Sequence, residues 1–481
     1  MQALEAYLAY SMLVLAATLL SRTNRAMNLI ALTHAVSCIA LAAYSLGNAP
    51  MHYFDNNFLI DSLSIYEFFI TGIIFFFALV YAGAHLERLV ELGLLEKRNT
   101  KLYYLSLNCL LIFTILSFAS NNLAVFWIFV ELTTFFTAFL IAILNSKKNI
   151  DASLKYIFVT STAMLFAFIG IILIFALSES ALGKGTLNWD ELLANARSFS
   201  PGFLAASFAF IFIGFSAKSG VAPFHTPLPH AYSKAPSAVS TIISAVMLNL
   251  GIYGILRTYA VVRQTSAAPA ASNLLLAFGL LSIFVATFSM LHQRNVKKLV
   301  AFSSTEHSGL MLIGLAIGTP LAVFWVLYHM LAHALTKAVL FLSTGILQRQ
   351  YNSNNAGKII NAFKLQPLAS IGLILGGAAI LGIPPFVIFI SKYSILVQLA
   401  GYSLPLLLLV LLLLLLASAA FLSLGTEIFT HTQDTRIERY NAPKRMTAPI
   451  VALIILVFVL GIYFPSEIYA LLTKIVSDLK F

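Results

Sequence analysis

Eleven residues able to carry charge or protons stand within or at the ends of long apolar runs: Glu131, Lys155, Lys218, His225, His230, Glu306, His307, His329, His333, Lys337 and Lys392. At bilayer depth such side chains are costly, and their default reading is an ion or proton path. His329, His333 and Lys337 recur at i, i+4 and i+8. They therefore share one helical face and could hand a proton along through bridging waters. A single histidine there would more often be structural, whereas three titratable groups in register favour function. Between Gly214 and Arg257, Lys218 is followed by Pro223, Pro227 and Pro229, with His225 and His230 among them. Proline removes helical hydrogen bonds, and irregular backbone inside a bilayer is tolerated only within protein or beside a wet cavity. Breaks are expected at Ala222 to Leu228 and again at Gly382 to Phe386, where Gly382-Ile383-Pro384-Pro385 precedes Lys392. The plainer alternative is a proline-kinked structural helix whose lysine binds backbone carbonyls.

Lysine suits proton handling because burial favours its neutral amine and a nearby carboxylate favours its ammonium. A Glu131 to Lys218 pair that forms and breaks would make the lysine hold or release its proton. The same logic extends to Lys337 and Lys392, with histidines as carriers near neutral pH. Bond-making chemistry is not indicated. No nucleophile and base pattern, Gly-rich phosphate loop or metal-ligand cluster is present. Cys38 and Cys109 lie in apolar segments without CxxC spacing, so neither disulfide nor iron–sulfur ligation is expected. The chain is expected to carry no cofactor and no metal.

The elements that must position these groups follow from composition. With 481 residues, 60% hydrophobic and 10% charged, the chain lies outside soluble globular usage and reads as an all-α, multi-pass membrane protein. Its net charge of +11 could suggest nucleic acid, but the basic residues sit in short loops between apolar runs, not in an aromatic-laced patch. Apolar runs predict about fourteen spans. They cover 3–20, 26–46, 58–84, 101–119, 122–144, 152–178, 203–230, 237–263, 272–291, 298–318, 320–346, 367–399, 403–425 and 447–470. Arg22, Arg25, Lys97, Arg98, Lys147, Lys148, Arg294, Lys297, Lys298 and Lys358 gather on one side, against Lys184, Arg197, Arg263, Lys474 and Lys480 on the other. By the positive-inside rule both termini lie outside the cytoplasm. Tyr7 to Leu20, preceded by Glu5, reads as a retained first helix, not a signal peptide. Ser178 to Gly202 reads as a short interfacial excursion and Leu404 to Leu416 as an ordinary apolar helix.

The chain also echoes itself. Glu131 and Lys218 stand 87 residues apart, Glu306 and Lys392 stand 86 apart, and each lysine neighbours prolines. The echo is offset by five spans, an odd number that reverses direction through the membrane, as in inverted repeats with discontinuous helices. The expected organisation is an N-terminal three-helix segment at 1–100, a first repeat at 101–263, a second inverted repeat at 272–425 and a C-terminal loop and last helix at 426–481. Spans seven and twelve are broken.

Several motifs closely resemble the antiporter-like proton-translocating subunits shared by respiratory complex I, Mrp-type sodium/proton antiporters and membrane-bound nickel-iron hydrogenases. They are Phe58 to Ser64, Trp127 to Glu131, Lys218 to Pro223 with His225 and Leu228-Pro229, Ala235 to Ser240, Asn295 to Ser303, His333 to Ala338 and Gly382 to Pro385 before Phe389 to Lys392. The resemblance covers nearly the whole chain and implies fourteen helices with inverted five-helix repeats, spans four to eight and nine to thirteen. It implies that Glu131 and Lys218 are the family's paired glutamate and lysine. Lys337 or its neighbouring histidines match the central relay, and Lys392 matches the charge at broken helix twelve. Asn249 stands where many complex I members have lysine, and Glu306-His307 follows Ser303 to Thr305. Both features look like the subunit of hydrogenase-4 and formate hydrogenlyase complexes.

The expected function is proton, or sodium, translocation by a membrane subunit of a multisubunit redox-driven complex, with other membrane subunits and a soluble redox module as partners and no nucleic acid. Its expected place is the cytoplasmic (inner) membrane. The alternatives are an antiporter-like subunit of a Mrp-type antiporter or of a two-component inorganic-carbon transporter, and a structural subunit with vestigial charges.

Overall fold

The computed structural model describes residues 3–430 and 437–481. Thirteen helices among these residues are long and apolar enough to cross a membrane. A fourteenth span is shared by two shorter helices, Pro367–Leu381 and Val387–Tyr402. Numbered in chain order, spans eight (Ser237–Arg263) and eleven (Pro320–Tyr351) are central, every residue of their most apolar window being buried. Spans one (Ala3–Leu20), thirteen (Leu404–Thr430) and fourteen (Lys444–Ile462) are mostly unburied. Their outward leucines and valines would face hydrocarbon, where an exposed apolar side chain has no penalty.

Polar residues start the spans. Thr23, Asp61, Asn122, Ser146, Asn295 and Thr319 each accept a hydrogen bond from a backbone N–H of the following first turn. Such caps satisfy donors left free at a helix start, which matters where water is scarce.

Both expected breaks are present. Span seven runs Pro201–Ser219, turns at Gly220 and resumes as the short helix Leu228–Lys234. Span twelve stops at Leu381, turns at Gly382 and resumes at Val387. Gly220 and Gly382 take φ values of +70° and +81°, left-handed backbone that a side chain would strain. Span eight carries a π turn, Ile243–Met247, between its two α-helical parts.

Three boundaries differ from the sequence reading. Phe58–Ile60 is a strand paired antiparallel with Met51–Tyr53, so span three begins at Ser62 behind the Asp61 cap. A short apolar strand and a helix start look alike in hydropathy. Span fourteen ends at Ile462, and Ser466–Asp478 is a separate amphipathic helix burying Leu472, Ile475 and Val476. Lys297, read as a loop cation, lies in the first turn of span ten (Val296–Ile317) and is fully buried.

Candidate functional site

The second half of the chain holds a connected polar series. Span ten places Glu306 and His307 side by side, span eleven aligns His329, His333 and Lys337, and Ser391-Lys392 follow the break in span twelve. Lys392 Nζ donates to Glu306 Oε1 at 3.1 Å, both side chains being buried. His307 Nδ1 and His329 Nε2 share a hydrogen bond of 2.8 Å, and His329 Nδ1 meets Ser391 Oγ at 2.8 Å. Ser391 donates its own hydroxyl to the Ile388 carbonyl at 3.1 Å. With the hydroxyl placed in this way, the series takes one direction. The serine oxygen then accepts from His329 Nδ1–H, leaving His329 Nε2 to accept from His307 Nδ1–H. The His333 ring lies 5.4 Å from that of His307, and neither of its nitrogens has a hydrogen-bond partner among the described residues. One turn further, Lys337 donates to the Val300 carbonyl at 2.6 Å and to Ser303 Oγ at 2.5 Å.

The first half is arranged differently. Lys218 Nζ donates to Thr133 Oγ1 and Thr134 Oγ1, each at 2.8 Å, and reaches the Val130 carbonyl at 3.4 Å. Glu131 is not its ion-pair partner in this structure. Val130, Thr133 and Thr134 share a face of span five (Leu123–Ala142), and Glu131 lies one residue, or roughly 100°, around from Val130. Its carboxylate instead accepts from Ser161 of span six (Lys147–Leu182) at 2.8 Å, while Oε1 has no partner. Glu131 faces a lateral groove of about 720 Å³ lined by Trp127, Phe158, Ser161 and Leu165.

Two expected path residues lie outside the interior. Lys155 is largely exposed and pairs with Asp151 at 2.9 Å one turn earlier on the same helix. It also lines the groove in front of Glu131. His230 is exposed, being on the outward side of Leu228–Lys234. His225, by contrast, is buried in the break of span seven, with its ring 6.3 Å from Phe302 of span ten.

The halves meet where the two breaks face span ten. Ser308 donates to the Ser219 carbonyl at 2.6 Å, joining the residue after His307 to the residue after Lys218. Ser282 accepts from the Ala222 backbone N–H at 2.9 Å, replacing a helical bond lost at the proline.

Sequence reasoning missed three buried titratable groups, a partly buried arginine and an ion pair. Glu67 of span three (Ser62–Glu91) is fully buried, 3.3 Å from the Asn249 amide nitrogen. Lys297 Nζ and both nitrogens of His85 have no hydrogen-bond partner among the described residues. Arg349, near the end of span eleven, borders a cavity of about 460 Å³ with Tyr440, Glu87 and Arg88. Arg257 and Asp61 form an ion pair of 2.6 Å at the opposite end of the molecule. For Glu67 the signal was readable, being one carboxylate in a long apolar run. For Lys297 it was not, because loop cations and buried first-turn cations look alike in sequence.

Residues 120–419 match the family described as NADH:quinone oxidoreductase/Mrp antiporter, TM. The chain is 29% identical over 420 residues to the hydrogenase-4 component F homolog of Methylacidiphilum infernorum, covering 85% of this chain and 86% of that protein. In fold it is similar to a chain of the membrane-bound sulfane sulfur reductase, an archaeal respiratory membrane complex. The TM-score is 0.85 at 23% identity, covering 99% of this chain and 96% of the other. It is also similar to a chain of the Mrp complex from Dietzia sp., with a TM-score of 0.82 at 19% identity, covering 98% and 95%. With the family match spanning more than half its length and both broken spans in place, the chain belongs to the NADH:quinone oxidoreductase/Mrp antiporter transmembrane family.

Proposed function

We propose that this chain is a proton-translocating membrane subunit of a multisubunit redox-driven complex of complex I or membrane-bound hydrogenase type. It lies in the cytoplasmic membrane with both termini outside. The observation that carries this reading is the cluster of buried titratable groups at the second break, where the Glu306 to Lys392 ion pair stands beside the hydrogen-bonded series of Ser391, His329 and His307. Buried charge of this kind costs stability, so its retention needs a use.

The residues divide the work. The Glu306 to Lys392 pair holds an ammonium at the break in span twelve, and its opening leaves a desolvated charge that is relieved by giving up a proton. The His307 to His329 to Ser391 series points its hydrogens towards span twelve, so a proton arriving at His307 can be relayed and the series then reset by ring and hydroxyl rotation. His333 and Lys337 extend the series along span eleven. Lys218, held by two threonine hydroxyls, and Glu131 serve the first half in the same way. Other membrane subunits and a soluble redox module are the partners, and no cofactor is held on this chain.

Proton movement in vesicles containing the full chain with its co-purifying subunits tests this. Lys392→Ala and Glu306→Gln should each abolish ΔpH formation per assembled complex, with yield lowered because the partner is left buried and unpaired, and full ΔpH formation per assembled complex in either would reject the reading. The fold likeness to a Mrp complex chain supports a second reading, a cation/proton antiporter subunit. Sodium dependence of the same ΔpH signal separates the two.

A further inference from the structure

Glu67 and Asn249 form a polar site that the series above does not use. Glu67, on span three, and Asn249, just beyond the π turn of span eight, are both fully buried. The Asn249 amide nitrogen stands 3.3 Å and 3.5 Å from the two carboxyl oxygens, a weak contact for a carboxylate. No cationic side chain forms an ion pair with Glu67 among the described residues. The neighbouring Tyr66 is committed elsewhere, donating to the Leu327 carbonyl of span eleven at 2.7 Å. Asn249 Oδ1 has no partner either, nor has the hydroxyl of Thr71, four residues beyond Glu67 on the same face of span three.

We propose that Glu67 is an additional proton-carrying residue, held as a neutral carboxylic acid whose O–H donates to the Asn249 carboxamide. This inference rests on the reading of the chain as a proton carrier. Three observations converge on it. A buried carboxylate with one long N–H contact and no cation would leave most of its desolvation cost unmet, whereas the neutral acid does not. With the Asn249 amide turned over, so that its oxygen takes the place the nitrogen holds 3.3 Å from the carboxyl, the acid O–H supplies the donor that Oδ1 lacks. A hard cation needs about six oxygens, and Glu67, Asn249 and Thr71 offer four between them, so a proton fits and a metal ion does not.

The π turn ends two residues before Asn249 in span eight. Such turns are rare and concentrate at functional positions. Ser244, within it, meets Ser304 of span ten at 3.1 Å, and Ser304 lies one turn before His307. On release the acid O–H bond breaks as its proton passes to a water oxygen on the span-eight side, that water gives up one of its own protons to the next acceptor, and the carboxylate left behind takes its new proton from an incoming hydronium before the next transfer.

Infrared difference spectroscopy on vesicles containing the full chain with its co-purifying subunits tests the protonation, and ΔpH formation in the same vesicles tests the use. Wild type should show the C=O stretch of a neutral carboxylic acid, shifted in heavy water. Glu67→Gln should lose both that band and ΔpH formation. Asn249→Lys, which supplies a counter-cation, should convert the acid to a carboxylate and lose the band without removing the glutamate. The proposal is overturned if the band persists in Glu67→Gln, or if Glu67→Gln forms ΔpH at the wild-type rate. Lys392→Ala separates the two readings: should it also form full ΔpH, the proton-carrier reading fails, while the Glu67 band still reports where the acid is.

Discussion

Lys392 closes an ion pair with Glu306 across 3.1 Å, whereas Lys218, its counterpart in the first half, has no carboxylate and donates to Thr133 and Thr134. The two halves share the Glu and Lys spacing and the broken helix but not the state of the pair. One is closed and the other open in a single structure. A switching pair needs two such arrangements, and hydroxyls that hold a lysine without neutralising it provide the open one.

Removing one partner of the closed pair should therefore be costly. Glu306→Gln or Lys392→Met leaves the other group buried and unpaired, and each should lower stability by about 3 to 5 kcal/mol. The double variant should lose less than the sum, because no uncompensated charge remains. Thermal unfolding of the four proteins in detergent gives the coupling. Strict additivity would mean that the contact is incidental.

Glu131→Gln should behave differently. Glutamine keeps an oxygen for the Ser161 hydroxyl and replaces a half-buried carboxylate, so yield and stability should stay within about 1 kcal/mol of wild type. Translocation should fall sharply, because the neutral side chain can no longer attract the Lys218 ammonium. Full translocation at full yield removes Glu131 from the mechanism, and lost yield assigns it to packing.

Much of this arrangement was legible in the sequence. Proline and glycine placed both breaks within a residue or two, because their backbone restrictions are local. The i, i+4, i+8 spacing correctly put His329, His333 and Lys337 on one buried face of span eleven. Azimuth between helices was not legible. Equal spacing suggested that Glu131 and Lys218 pair as Glu306 and Lys392 do, yet helix phase turns Val130, Thr133 and Thr134 towards the lysine instead. Depth was also hidden, as Lys155, His230 and Lys297 show, since hydropathy locates a span without saying which side faces protein.

The histidine series makes its own prediction. His333→Ala and Lys337→Ala should each reduce translocation at normal assembly, and Ser391→Ala should do the same by removing the acceptor of His329 Nδ1. Ser391→Thr, which keeps the hydroxyl, should restore it. Stability should change by only about 1 kcal/mol for the serine variant. ΔpH formation at the wild-type rate in both His333→Ala and Lys337→Ala would break the relay.

The geometry at the second break depends on a glycine in another span. A Cβ on Gly461 of span fourteen would lie 1.9 Å from the Pro385 carbonyl oxygen and 2.6 Å from the Phe386 carbonyl carbon. Both are backbone atoms, which cannot rotate aside as a side-chain end could. Gly461→Ala must therefore push span fourteen away from the break or deform residues 385–387, just ahead of Ser391 and Lys392. Overpacking of this kind typically costs about 1 to 3 kcal/mol, and more where the obstacle is rigid. Gly425 in span thirteen is the control, since a Cβ there meets nothing within 4 Å. Replacing a helical glycine by alanine in open space should stabilise by about 0.5 to 1 kcal/mol. Gly425→Ala should thus melt at or above wild type and translocate normally, while Gly461→Ala melts lower and translocates poorly, the Glu306 to Lys392 contact being displaced with the break. Equal melting temperatures for the two variants would show that span fourteen does not pack against the break as described.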